Sequence, residues 1–158
     1  MRGLARIDLD AIDRALQTCH LTDLAHRPAA SLSGGQLQRC WIAMILAQDT
    51  PVLLPDEPTT FLDLVAHWDL MALLSHIRAE DGRSIVMVLH ELNLAAAFAD
   101  TIVMMESGQV LHSGAPVDML SPDRLRDAFD LNARVIAHPD TGRPVCLPHR
   151  DARQGASL

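Results

Sequence analysis

The sequence of 158 residues contains no lysine, and all 13 of its basic residues are arginine. Any mechanism that depends on a lysine ammonium is therefore excluded for this polypeptide by itself. Cysteine is scarce, and Cys19, Cys40 and Cys146 are scattered without a C-x-x-C pair. That pattern offers neither a metal-ligand set nor a disulfide framework, and it fits small apolar side chains in a reducing cytosol. Apolar runs are short, and none approaches the roughly 18 residues that a membrane-spanning helix needs. The start, Met1-Arg2-Gly3-Leu4-Ala5-Arg6, has no long apolar segment of the secretory kind. The expectation is a chain that is neither secreted nor membrane-spanning. No basic stripe offsets the net charge of −7, which disfavours a nucleic-acid partner. His112, His138 and His149 are too dispersed to suggest a metal site. Internal repeats and low-complexity tracts are absent too.

What is present is ordinary for a globular domain, with 49% hydrophobic and 21% charged residues and enough length for one real core. Leu9, Ile12, Leu16 and Cys19 recur at helical spacing and predict a helix over 8–19. A short helical turn follows at 22–25, ended by Arg27-Pro28. A second helix is expected from Ser33 to about Gln48. Val52-Leu53-Leu54-Pro55 and Ser84-Ile85-Val86-Met87-Val88-Leu89 read as strands buried on both faces, as in parallel sheets. Between them Asp63 can cap a helix reaching Arg78, with Leu64, His67, Trp68, Met71, Leu74 and Ile77 on its apolar face. Asn93 to Ala99 reads as helical, and Ser107-Gly108 as the turn of a hairpin. Short helices near 116–120 and 122–129 precede a closing hairpin around Pro139-Asp140-Thr141-Gly142, and the tail from Asp151 is expected to fray. Strand and helix alternate through the middle, which argues for an α/β core with parallel strands.

Three stretches carry chemistry. In Leu32-Ser33-Gly34-Gly35-Gln36-Leu37-Gln38-Arg39 a capping hydroxyl precedes two glycines and a helix. Bare backbone N–H groups at a helix start, with the helix dipole behind them, attract phosphate. Asp56 and Glu57 directly follow an apolar strand, and ligands of open α/β sheets bind at the carboxyl ends of strands. One acid there can hold Mg²⁺ through water, while its neighbour orients or deprotonates an attacking water. His90 ends the second strand.

Taken together these strings resemble the motifs of ATP-binding cassette (ABC) ATPases. Leu-Ser-Gly-Gly-Gln-x-Gln-Arg is similar to the family's signature sequence. Asp56-Glu57-Pro58-Thr59-Thr60-Phe61-Leu62-Asp63 resembles its Walker B motif and D-loop. Val88-Leu89-His90-Glu91-Leu92-Asn93-Leu94-Ala95 resembles the segment of its switch histidine. The three occur in the family's order over about Ser31 to Ala95. His90-Glu91-Leu92-Asn93-Leu94-Ala95 with the ending His138-Pro139-Asp140-Thr141-Gly142-Arg143-Pro144 is most similar to the iron(III)-siderophore and haem importer branch.

The resemblance implies a P-loop-NTPase-like α/β core with a partial helical subdomain, its N-terminal part missing. It divides the chain into helical subdomain and signature helix (1–48), ATPase core (49–114), and C-terminal helices, hairpin and tail (115–158). The implied catalytic residues are Glu57, polarising water, and His90, steadying the γ-phosphate. Asp56 would hold Mg²⁺ through water. Ser33, Gly34, Gly35 and Gln36 would close on ATP held by a partner, and Asp63 would couple the two sites. The implied partners are a second ABC ATPase subunit in a head-to-tail dimer and transmembrane permease subunits. The implied location is cytoplasmic, peripheral on the inner face of the cell membrane. A DNA-repair ATPase of the same family is disfavoured, because no heptad coiled coil interrupts the motifs.

Two departures stand out. A phosphate-cradling loop G-x-x-x-x-G-K-[ST] needs two glycines five apart and a lysine, and this sequence has neither. It also lacks the family's upstream adenine-stacking aromatic and Q-loop glutamine, so the chain reads as a C-terminal portion unable to hydrolyse ATP alone. Pro55 replaces an aliphatic residue before Asp56. It removes a ladder donor worth about 1–3 kcal/mol if buried, and it can re-aim that carboxylate. The second reading is a non-catalytic fragment that pairs with an intact ABC ATPase subunit. Strand edges left uncovered by missing neighbours would make the chain prone to aggregation.

Overall fold

Apolar residues at helical spacing form the first helix, α1 (Arg6–Thr18), which packs against α2 (Gly34–Ala47). Short 3₁₀ turns at Thr22–Leu24 and Ala29–Ser31 join the two. Then come β1 (Val52–Leu53), α3 (Leu64–Asp81), β2 (Ser84–Ile85), α4 (Leu92–Phe98), β3 (Ile102–Glu106) and β4 (Gln109–Gly114). The chain closes with α5 (Pro116–Met119), α6 (Pro122–Phe129), β5 (Ala133–Ala137) and β6 (Pro144–Pro148). This computed structural model describes residues 6–60 and 62–150. Phe61 of the acidic motif and the tail from Asp151, expected to fray, lie outside the described residues. The described chain falls into two units, one ending at Leu89 and the other beginning at His90, and each is described by itself.

The first unit buries Ala15, Cys19 and Leu21 together with Ile42, Ala43 and Leu46. Trp41 and Met44, which the sequence sets among the helix's apolar series, are half exposed. In α3 burial begins at Leu70 and continues through Met71, Leu73, Leu74 and Ile77. The apolar face expected to begin at Leu64 therefore starts about two turns later: Leu64 and Trp68 lie open to solvent.

β1 and β2 pair in parallel, Val52 with Ser84 and Leu53 with Ile85. Both are far shorter than the runs expected from the sequence, and the cause is proline. The ladder runs from Ser84 N–H to Pro51 O and from Val86 N–H to Leu53 O, both at 3.0 Å. The next rung falls to the N–H of residue 55, which proline does not have. One expectation fails outright: the strands are not buried on both faces, because Val52, Leu54, Val86 and Val88 are exposed. Arg83 ties this pair to the end of α2, donating to Thr50 O at 2.8 Å and to Asp49 at 2.7 Å.

The second unit has two antiparallel hairpins, β3–β4 and β5–β6. Ser107 (φ 49°) and Gly108 (φ 78°) both take positive φ, which matches the right-handed twist of a two-residue hairpin turn. Ala96, Met104, Met119, Leu120, Leu125, Ala133 and Cys146 form its core, drawing on every helix of the unit and on three of its strands. Among the described residues, no helix is long and apolar enough to cross a membrane.

Cysteine burial gives a titration test. Cys19 is fully buried, and burial pushes its thiol up to about 12 from 9.0. The folded state thus favours the protonated thiol. Its contribution is complete below pH 9 and is lost as pH rises from about 9 to 12. Stability measured by urea unfolding should fall across that window, and Cys19→Ala should flatten the fall. In the native chain at pH 8, half-buried Cys40 should react with iodoacetamide well before Cys19.

Candidate functional site

Ser33 sits at the N-cap of α2 with extended backbone (φ −66°, ψ 163°). Its hydroxyl accepts from Gln36 N–H at 3.3 Å, and Gln36 Oε1 accepts from Ser33 N–H at 3.0 Å. This is a reciprocal capping box, so both side chains of the expected phosphate loop serve the helix start. The S-x-x-Q spacing that announces it is plain in the sequence, although the serine alone reads there as a cap.

The two glycines behave differently. Neither has positive φ. A Cβ on Gly34 would meet nothing within 4 Å, and one on Gly35 would make ordinary contact with Ala66 Cβ at 3.9 Å. Nothing among the described residues requires either glycine. Each nonetheless costs helix propensity, about 0.8–1 kcal/mol relative to alanine in a helix interior and less at its end. With Ser33 N–H and Gln36 N–H taken up by the capping box, the missing side chains leave the approach to the Gly34 and Gly35 N–H groups uncrowded.

Asp63 caps α3, its Oδ1 accepting from Ala66 N–H at 2.8 Å. Gly35 and Gln36 of α2 line the same cavity as Ala66 of α3, so the starts of the two helices lie near each other. A cavity of about 290 Å³ opens between them, lined by Gly35, Gln36, Arg39, Leu62, Ala66 and Asp69. Arg39 faces Asp69 across it at 3.8 Å. The structure therefore brings the signature-like loop and Asp63 into one neighbourhood.

Asp56 follows β1 and is exposed, whereas Pro55, Pro58 and Thr59 on either side are buried. Those buried neighbours hold the acidic turn against the unit. Glu57 takes a left-handed backbone, φ 45°, in a region that a glutamate rarely visits. Its carboxylate accepts from Thr60 Oγ1 at 3.1 Å, and Thr60 N–H donates to Glu57 O at 3.2 Å. Thr60 stands inside the quoted motif, yet sequence reasoning gives it no task. A hydroxyl three residues beyond the acid is the available signal. Asp56 is exposed, and an open carboxylate of this kind fits a hydrated Mg²⁺ that it would meet through water, since this ion usually keeps several waters. The donor set fits such a metal without further protein ligands.

His90 opens the second unit, exposed, one residue ahead of the N-cap Glu91 of α4.

The ABC transporter family matches residues 6–60. The iron(3+)-hydroxamate import ATP-binding protein of Bacillus subtilis (strain 168) is 42% identical over 142 residues, 90% of this chain and 53% of that protein. The hemin import ATP-binding protein of Rhodococcus jostii (strain RHA1) is 44% identical over 146 residues, 92% of this chain and 50% of that protein. Among solved structures, a metal-chelate type ABC transporter in an inward-facing conformation superimposes with a TM-score of 0.85 at 26% identity. That match covers 95% of this chain and 61% of the other. The chain spans about half the length of the curated relatives it matches.

Proposed function

This chain belongs to the ABC transporter family of ATP-binding proteins, and from that membership we propose that it forms part of the ATP-hydrolysing subunit of an importer for iron-siderophores or haem. The observation that carries the reading is the open helix start at Gly34 and Gly35, whose missing side chains its own fold does not require. A helix start of this kind suits the phosphates of a nucleotide held by another cassette. The relatives' names, siderophore and hemin import, support the substrate class.

In this reading the Ser33 hydroxyl and the N–H groups of Gly34 and Gly35 donate to the partner's ATP, with Gln36 keeping Ser33 in place. Asp63, at the neighbouring helix start, links that contact to the acidic turn. Glu57 accepts the proton of the attacking water, and Thr60 holds the carboxylate ready for it. His90 donates a ring N–H to the γ-phosphate. Asp56 offers its carboxylate to Mg²⁺ through water, and the ion, when bound, offsets the charge that develops on the transferred phosphoryl group. Permease subunits at the membrane receive the motion of dimer closure.

With no lysine in 158 residues, the phosphate cradle of a working site comes from residues outside these. The chain alone should therefore bind ATP no more tightly than about 1 mM, some 4 kcal/mol, and show no steady turnover. Supplying the phosphate-loop half of a homologous cassette in trans should restore turnover. If that half binds but turnover stays at background, the chain is a non-catalytic pairing fragment. Micromolar ATP binding with steady hydrolysis by the isolated chain would refute both readings.

A further inference from the structure

The second unit holds α4 in an unusual way. A helix of seven residues is too short to persist by its own hydrogen bonds, and Glu91 at its N-cap makes no side-chain cap bond. Both ends are gripped from outside instead. In the first turn, Asn93 Nδ2 donates to Cys146 O at 3.0 Å, and Cys146 N–H donates to Asn93 Oδ1 at 2.7 Å. The side-chain amide thereby offers β6 the donor and acceptor that a neighbouring strand would offer. In the last turn, Arg143 Nη1 donates to the carbonyls of Ala96 and Ala99, both at 2.9 Å. A cation on the final carbonyls also suits the negative end of the helix.

Both grips come from one place. Cys146 lies in β6, and Arg143 immediately precedes that strand. The turn ahead of Arg143 is itself fixed, with Gly142 N–H donating to His138 O at 2.9 Å and His138 N–H donating to Arg143 O at 2.8 Å. Gly142 has φ 69°, which a side chain would strain. The hairpin β5–β6 is thus a splint laid along α4.

We infer that Asn93 and Arg143 are positioning residues for His90: by fixing both ends of α4 to the C-terminal hairpin, they set the direction in which the chain presents that imidazole. His90 stands three residues before Asn93, with only Glu91 and Leu92 between them. A tilt of α4 therefore passes directly to it. This inference rests on the proposed role of His90 at the γ-phosphate, but the geometry it asserts does not need nucleotide to be tested.

The test uses the 158-residue chain with labelled histidine and no ATP. Arg143→Ala and Asn93→Ala should speed amide exchange over residues 93–99 on the order of tenfold for each hydrogen bond lost. They should also shift or broaden the His90 Cε1–H resonance, with His112 in β4 unmoved. Arg143→Lys keeps a cation within reach of the two carbonyls and should restore most of the His90 signal. Asn93→Asp keeps the acceptor for Cys146 N–H but loses the donor, so it should fall between. These milder variants carry the test if an alanine variant unfolds the unit. Faster exchange in α4 with an unmoved His90 resonance would reduce the clasp to a structural closure and overturn the inference, as would no change in either. Because no nucleotide enters the measurement, failure of the ATPase reading leaves this result standing, and the reverse also holds.

Discussion

In a cassette that contains these residues together with a phosphate loop, Glu57→Gln is expected to lower steady ATP hydrolysis by about two to four orders of magnitude. ATP affinity should stay within about threefold, because the amide replaces only the proton acceptor. The substitution preserves shape, and the new carboxamide oxygen can still accept from Thr60 Oγ1, the bond that Glu57 makes at 3.1 Å. A second variant separates chemistry from folding. Glu57 holds φ at 45°, which costs a non-glycine residue roughly 1–2 kcal/mol. Glu57→Gly should therefore leave the chain as stable as before or more so, while hydrolysis falls as far as in Glu57→Gln. Nucleotide titration, kcat and urea unfolding on the three proteins together read the outcome. Turnover within a few-fold of the parent in Glu57→Gln would remove Glu57 from the mechanism.

The exposed sheet face gives the second large effect. Val52 in β1 and Leu54, Val86 and Val88, which follow the two-residue strands β1 and β2, are 43%, 68%, 61% and 50% exposed. Exposed apolar side chains next to strand edges that no other described strand covers favour self-association. Removing one contact of about 55 Å² at about 25 cal/mol per Å² weakens an association constant about tenfold. Leu54→Thr with Val86→Thr should thus raise the concentration at which the chain stays monomeric by on the order of a hundredfold. Threonine keeps the β-branched shape of Val86 and gives position 54 a shape that strands favour, and unfolding free energy should move by no more than about 0.5 kcal/mol, as is usual at exposed sites. Sedimentation velocity over a concentration series decides the matter. An unchanged dissociation profile would mean that this face takes no part in association.

The features legible in the sequence are those whose physics is local. Ser33, Asp63 and Ser107-Gly108 act through hydrogen bonds or dihedrals that span at most three residues, and each does in the structure what its residue type suggests. The β5–β6 hairpin is legible for the same reason, since Pro139 to Gly142 is turn chemistry. Strand length is not local. Pro55 reads as a missing donor, but that it ends β1 at Leu53 depends on the register with β2. Periodicity puts Leu64, Trp68 and Met71 on one side of α3, but it does not say how much of that side anything covers. The left-handed turn at Glu57 leaves no trace, because glutamate has no preference for it. Nor does the clasp on α4: Asn93 and Cys146 stand 53 positions apart, and nothing in either residue names the other.

The capping box at Ser33 and Gln36 also bears on how quickly the proposed pairing with another cassette would form. Because each side chain accepts from the other residue's backbone N–H, at 3.0 and 3.3 Å and without any ligand, the loop loses its conformational freedom when the chain folds, not when it meets a nucleotide. Immobilising a flexible side chain on binding costs about 0.5–1.5 kcal/mol, and here that entropy is lost beforehand. In the proposed pairing, encounter would then require orientation alone, without a search through loop conformers, and closure would begin from a surface already in its binding shape.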